Sequence, residues 1–305
     1  MKRLLLFILF PMILLAQYER PGSAGGQFLE IDVNPRAAAM GGAYMSIGKG
    51  AETITYNPAF LVYSPRITLS VNHTKWFANI NYDFASVAFN LDEIGSFGIL
   101  CSGLMTGEMQ VRTPLQPDGT GETFYSAYYR FGIAYARKLT NHVSFGGTLN
   151  YIYGSLYKDF TASAVSADIS VLYRTHYHGF SFGMKIEHFG SEMKYINEAY
   201  PLPTNFQFGL SAYALEQKNY SILVSAKAKK PNVGKPLGSL GLELKVFRHI
   251  FIRGGYQVNS LVQTYSFGLG INWRVLRQRF SVDYSYSDFS LLGAAHRFGL
   301  YLALD

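Results

Sequence analysis

Apolar and polar positions alternate along this chain from residue 67 onward. In 123–139, TFYSAYYRFGIAYARKL, the residues Tyr125, Ala127, Tyr129, Phe131, Ile133 and Tyr135 share one parity. Ser126, Tyr128, Arg130, Gly132, Ala134, Ala136 and Lys138 share the other. Residues 264–275 repeat the pattern more sharply, with Tyr265, Phe267, Leu269, Ile271, Trp273 and Val275 set against Thr264, Ser266, Gly268, Gly270, Asn272 and Arg274. In 164–174 an apolar face from Val165 to Tyr173 opposes Asp168 and Arg174, and in 240–247 Leu240, Leu242, Leu244 and Val246 oppose Glu243 and Lys245. A period of two is the signature of a strand with two unlike faces. The polar face of a soluble sheet is rich in Lys, Glu and Thr, because it meets water. Here that face is Gly, Ser and Ala with occasional charges, which suits the crowded interior of a closed barrel. Tyr and Trp near the strand ends fit the interfacial girdles of an outer-membrane barrel.

The pattern predicts strands over 67–77, 81–92, 96–112, 123–140, 142–157, 162–175 and 180–192 in the first half. The second half gives 204–215, 220–231, 234–247, 249–260, 262–276, 279–290 and 292–305. The total of about fourteen is even, as a bacterial single-chain barrel requires. The expected fold is therefore all-β: a transmembrane antiparallel β-barrel of about 14 strands behind an N-terminal segment that does not alternate. Tight turns at LTNH (139–142) and VFRH (246–249) belong on the periplasmic side, and the Pro/Gly-rich loop TPLQPDGTGE (113–122) belongs outside.

Composition agrees with this reading. Charged residues make up 15% of the 305-residue chain, well below the roughly 25% of soluble domains, while aromatics reach 16%. MKRLLLFILFPMILLAQ opens with Lys2 and Arg3, runs apolar from Leu4 to Leu15 and reaches Ala16, the plan of a secretory signal peptide. The expected organisation is a signal peptide at 1–16, an N-terminal segment at 17–66 and the barrel at 67–305. Beyond the signal no apolar run reaches the about 18 residues of a membrane helix, so the strands must do the crossing. The single cysteine, Cys101, reads as a small apolar side chain on a strand. The net charge of +7 is scattered, and an exported chain does not meet nucleic acid. Its main cluster, KAKKPNVGK (227–235), reads as a solvated turn with possible contact to anionic lipid head groups.

Catalytic chemistry is not indicated. His176 and His178 sit in the turn RTHYHGF without a third metal ligand, GTG in 119–121 lacks the Lys-Ser/Thr and helix of a phosphate loop, and His296 with Ser285 or Ser287 has no favourable spacing. The reading is of a non-enzyme with no cofactor and no metal.

The N-terminal segment carries its own signals. NPRAAAMGG (34–42) offers Asn34 as an N-cap, Pro35 at the first helical position and Gly41-Gly42 as a stop, and NPAFL (57–61) repeats the device with Asn57 and Pro58. The run PRAAAMGGAYMSIGKGAETITYNPAFL, the PDGTGETF loop, the YARKLTNHVSFGGTLNYI hairpin and the closing GAAHRFGLYLALD together resemble the PorV/PorQ family, itself grouped with FadL-like outer-membrane barrels. That resemblance implies a fourteen-stranded barrel with an N-terminal hatch, its motif at Asn57, Pro58 and Ala59. It further implies an accessory role in type IX protein secretion, with secretion-channel subunits and cargo C-terminal signal domains as partners, beside the outer-membrane lipid. The loop residues Pro117, Asp118, Gly119 and Thr120 are then the candidate contact surface. The alternative the resemblance offers is a FadL-like transporter of a lipophilic small molecule, with a sideways opening where Gly103 and Gly107 permit a kink in the third strand. The signature over 35–61 and the HRF ending favour the secretion role.

Overall fold

Strand formation follows the alternation closely. In a computed structural model, which describes residues 22–260, 262–276 and 278–304, fourteen strands close into one antiparallel barrel. They are β1 (Ile67–Lys75), β2 (Asn81–Asn90), β3 (Ser96–Met105), β4 (Ala127–Lys138), β5 (Val143–Tyr157), β6 (Phe160–Arg174) and β7 (Ser181–Gly190). The second half supplies β8 (Asn205–Glu216), β9 (Ser221–Pro231), β10 (Leu237–Val246), β11 (Ile250–Val258), β12 (Tyr265–Val275), β13 (Gln278–Asp288) and β14 (Ala294–Leu304). Each strand pairs with its sequence neighbours, and β1 closes on β14 from Ile67↔Leu304 to Lys75↔His296. The expected signal peptide and residues 17–21 lie outside the described residues.

The two faces separate as the parity requires. Ile99, Phe131, Ile133, Leu149, Phe267 and Leu269 point outward, and Ile133 is 61% exposed. Ser144, Ser170, Arg130, Asp168 and Glu243 point inward and are buried. Cys101 takes its place on the exposed outer face of β3. Closure removes every sheet edge, and an apolar band running round a closed barrel needs hydrocarbon against it. The connections at 106–126 and 191–204, between β3 and β4 and between β7 and β8, leave the same end of the barrel, which is the outer end by the rule that long loops face outward.

Three details depart from the sequence reading. β3 stops at Met105 instead of 112, because the Ser126 amide donates to the Thr106 Oγ1 at 2.9 Å where a ladder carbonyl would be needed. Met109–Gln110 and Thr123–Phe124 then form a separate two-stranded arm beyond the wall. Lys227 and Lys229 lie on β9 and not in a solvated turn, since the inward parity of Ser221, Leu223 and Ser225 carries through them. The third strand is unkinked: β3 pairs with both neighbours without a register shift, Gly103 sits within its ladders, and Gly107 lies past its end. Register shifts fall instead in the β5–β6, β8–β9 and β6–β7 ladders; in the last of these Ala167↔Phe189 is followed by Ile169↔Ile186. This bulge turns Glu187 and His188 both inward, with His188 at φ 56°, and Asp168 Oδ1 accepts the His188 amide at 2.8 Å.

Phe131 stands near the middle of β4 on the outer face. Its replacement by Arg is expected to cost about 2–4 kcal/mol, the penalty for a cation near the bilayer midplane. The measurement is a urea unfolding midpoint in reconstituted bilayers, and wild-type stability would place Phe131 in the lumen instead.

Candidate functional site: a lumen divided by the N-terminal segment

A barrel of this size has a lumen wider than its own side chains fill. Residues 22–66 occupy it. The first helix, α1 (Pro35–Ala39), begins where the chemistry of its cap dictates: Asn34 Oδ1 accepts from the Arg36 amide at 2.8 Å and the Ala37 amide at 3.3 Å, with Pro35 in the first turn. It ends at Gly41 and Gly42, whose φ of 63° and 78° suit glycine alone without strain. The second turn, a 3₁₀ helix over Pro58–Tyr63, starts from Asn57, whose Oδ1 accepts from the Ala59 amide at 3.1 Å. Asn57 has no exposed surface, and its Nδ2 donates to the Met45 carbonyl at 2.9 Å. One side chain thus caps the second turn and ties it back to the strand of chain that follows the first.

The segment pairs many of its backbone groups in its own short turns, and those the turns leave over need partners outside it. The barrel wall supplies them. Ser225 Oγ donates to the Ala43 carbonyl at 2.7 Å, Ser211 Oγ to Ser46 at 2.9 Å, Ser144 Oγ to Ala59 at 3.0 Å and Ser86 Oγ to Ala51 at 2.8 Å. Amides are met in the same way, Ala51 by Thr68 Oγ1 at 2.9 Å and Ala59 by Ser170 Oγ at 3.2 Å. Between the hydroxyls the wall must be thin. A side chain at Gly255 would collide with the backbone of Met40 and Gly41, and one at Gly146 with Pro58 and Ala59.

Charged groups fasten the segment at two further places. Arg36 forms a forked pair with Glu243 of β10, Nε to Oε2 at 2.7 Å and Nη2 to Oε1 at 2.8 Å, and reaches Glu52 at 3.3 Å. Glu243 Oε2 also takes Arg253 Nε of β11 at 2.7 Å, and Arg253 pairs with Asp283 of β13. Burial pushes the Tyr44 and Tyr56 phenols well above their ordinary range, so both remain neutral hydroxyls beside this network. On the other side Lys185 of β7 donates to the Thr55 carbonyl at 2.5 Å and to Glu187 at 2.7 Å, while Arg130 of β4 meets Asp168 at 3.3 Å. Glu30, Glu187 and His188 bring ligand atoms within 4.8 Å of one another. Their partners define a polar network, not a metal cage: Glu30 pairs with Lys229 and Asn205, and Glu187 with Lys185 and Gln207.

The segment leaves two cavities. The outer one, about 270 Å³, has Trp76, Tyr82, Phe84 and Phe289 on its wall together with Arg297. Arg297 is fully buried on β14, its Nε donates to the Asp32 carbonyl at 2.8 Å and its Nη1 to Ser287 Oγ at 2.9 Å, and Nη2 has no partner among the described residues. The inner cavity, about 380 Å³, lies at the opposite end around Arg36, Glu243, Arg253 and Asp283. No residue lines both.

The structure places the two motifs against different parts of the wall: Pro35 lies beside Gly299 of β14 and Gly41 beside Gly255 of β11, whereas Asn57 lies beside Gly183 of β7 and Pro58 and Ala59 beside Gly146 of β5; Asn34 and Gly42 cap and end α1 between them. It does not bring Pro117, Asp118, Gly119 or Thr120 to either cavity; they sit on the outer arm, where Pro117 and Asp118 are exposed and the Thr120 amide donates to the Val111 carbonyl at 2.8 Å. His296 faces away from the inward Ser285 and Ser287 and instead hydrogen-bonds Tyr284 at 2.8 Å. The residues that sequence reasoning missed are Arg36, Glu30, Glu187 and His188. Arg36 had one usable signal, a charge on the first helical turn of a segment due to be buried. The bulge that pairs Glu187 with His188 breaks the parity rule and left none.

No protein-family model matches the chain, and no curated protein does. Among solved structures, the Pseudomonas putida toluene transporter TodX superposes with a TM-score of 0.61 at 12% identity, covering 88% of this chain and 96% of that one. The Ralstonia pickettii toluene transporter TbuX gives 0.56 at 11% identity over 88% and 97%. A Pseudomonas aeruginosa FadL homologue gives 0.53 at 10% identity over 90% and 98%. At these identities the likeness is one of fold. Together with the apolar outer band it defines the class: the chain is a multi-pass outer-membrane β-barrel protein, built on the fourteen-stranded fold of FadL-type barrels. None of these comparisons shows a PorV/PorQ kinship.

Glu243→Gln removes the carboxylate that joins Arg36 to Arg253 while keeping its volume. Loss of one partner from a buried ion network is expected to cost as much as about 3 kcal/mol. The expected result is faster amide hydrogen exchange over residues 34–53 with β5 and β6 still protected, and unchanged exchange over 34–53 would show that the pair does not hold the segment.

Proposed function

We propose that the protein admits small apolar or amphipathic molecules across the outer membrane, with residues 22–66 acting as a hatch between the two cavities. The observation that carries this reading is the division of the lumen. A plain structural barrel needs no aromatic-walled cavity on one side of a removable partition. Every contact described above between the segment and the wall is a hydrogen bond, an ion pair or a packed surface, so the segment moves without breaking a covalent bond. Trp76, Tyr82, Phe84 and Phe289 offer flat apolar surface at the outer end, and Trp76 packs on Phe289 with ring centroids 4.6 Å apart. The toluene transporters named above share the fold, which is consistent with such a solute class.

Asn57, Pro58 and Ala59 are the hatch latch on this reading. Asn57 joins the two halves of the segment, and Ala59 is held on both its amide and its carbonyl by β6 and β5. A sideways exit, which the family resemblance places at the third strand, has better support at β7. There the ladder with β8 ends at Glu187↔Asn205, beside an outer cavity that Glu187, His188 and Gln207 help to line. The type IX secretion role keeps two supports, the motif resemblance and an exposed outer arm on which Leu115 is 93% exposed.

Proteoliposomes carrying the full chain are expected to take up a small aromatic hydrocarbon saturably. Trp76→Ala with Phe289→Ala should reduce that uptake several-fold, and Asn57→Ala should raise the ion leak of the barrel without unfolding it. Absence of saturable uptake, together with copurification of secretion-channel subunits or cargo signal domains, would transfer the function to the secretion reading.

A further inference from the structure

The inner cavity holds a charge imbalance that passage of an uncharged solute leaves unused. Its lining carries seven cationic side chains against three carboxylates. All three carboxylates are already engaged: Glu243 with Arg36 and Arg253, Asp283 with Arg253, and Glu52 with Arg36. Arg174, Lys245, Arg248 and Arg279 stand outside that network. They come from four separate places, the end of β6, the end of β10, the turn after it and the start of β13. Arg174 lies over the Tyr63 ring at 5.0 Å, and Arg248 Nε donates to the Lys218 carbonyl at 3.2 Å, but neither contact offsets a positive charge. Among the described residues no carboxylate pairs with any of the four.

Two further features converge on the same space. Arg279 stands directly opposite Arg274 across the β12–β13 ladder, an arrangement of like charges that weakens a sheet. The Ser46 hydroxyl, 1% exposed and on the cavity lining, has no hydrogen-bond partner among the described residues. Cations gathered in a concavity with low-dielectric walls reinforce one another's field and concentrate anions there. Guanidinium forks match the oxygens of phosphate, and a lysine adds a point charge. The volume suits a compact ligand and not a polymer.

We propose that the inner cavity is a binding site for a compact phosphate-bearing anion, held by Lys245, Arg279, Arg174 and Arg248 with the Ser46 hydroxyl. Because Ser46 belongs to the inner segment and the cations to the wall, the bound anion ties the two together. This inference is independent of solute uptake, since it is read by binding and not by transport.

The test is equilibrium binding of inorganic pyrophosphate to the full chain in nanodiscs of neutral lipid. Saturable binding is expected, weakened at least tenfold by Lys245→Gln with Arg279→Gln and unchanged by Lys158→Gln at the outer end. Raised salt should weaken it, as for any site of exposed charge. Exchange of the neutral lipid for phosphatidylglycerol identifies the source of the phosphate: competition assigns the site to a lipid head group, and an unchanged affinity assigns it to a soluble phosphate compound. No saturable binding, or full affinity in a double variant that still shows the heat-modifiable mobility of a folded barrel, overturns the proposal.

Discussion

Packing an irregular stretch of chain inside a barrel is allowed only if its backbone amides and carbonyls find partners there, because packing removes them from water and each orphan buried group then costs several kcal/mol. The inward face of this barrel is built to that requirement. Its serines and threonines reach the segment's carbonyls and amides one by one, from Ser86 on β2 to Ser225 on β9. Its glycines remove the side chains that would hold the segment off. The Gly, Ser and Ala of the inner face, which suit a crowded interior, are the complement of a particular backbone path.

The ion networks do a different job from the hydroxyls. Burying Arg36, Glu243, Arg253 and Asp283 brings a desolvation cost that their mutual attraction does little more than offset, so they add little net stability. What they add is position. Arg36 accepts one register of α1 against β10 and β11, because its fork must meet both Glu243 oxygens while Arg253 takes one of them from the other side. The Lys185 contact to Thr55 fixes another part of the segment to β7, three strands round the wall from β10. These two fastening points set where the partition sits.

How much of this was legible follows from what each feature depends on. Apart from the end of β3 and the start of β4, the strand bounds were readable to within about three residues, because lipid enforces an apolar outer face at every second position. The two caps were readable because Asn34 and Asn57 act on amides two or three positions away. β3 was read too long, since 106–112 and 123–126 keep alternating in the arm that leaves the wall. Lys227 and Lys229 were misread because Pro231 and Gly234 signalled a turn early, whereas Pro231 still pairs with Asn205 at the end of β9. The partition's contacts were not readable at all. Ser225 meets Ala43 across 182 positions, and no local pattern records a pairing of that kind.

The balance of polar and apolar contacts bears on how firmly the partition is held. A plug sealed by apolar packing would have to expose that surface to water when it moved, at about 25 cal/mol for each Å². A plug held by serine hydroxyls and ion pairs exchanges those partners for water, which satisfies the same donors and acceptors at little net cost. The wall groups left behind, such as Ser144, Ser211 and Ser225, are equally content with water in an open lumen. Residues 22–66 are joined to the barrel by both kinds of contact: Phe28, Val33, Ile54 and Leu61 pack in one apolar cluster with Tyr82, Phe84 and Leu100 of the wall, and the hydroxyl and ion-pair contacts are the part that water can replace at little cost. The polar contacts therefore set where the segment sits, and the apolar clusters supply the part of its attachment that resists displacement into water.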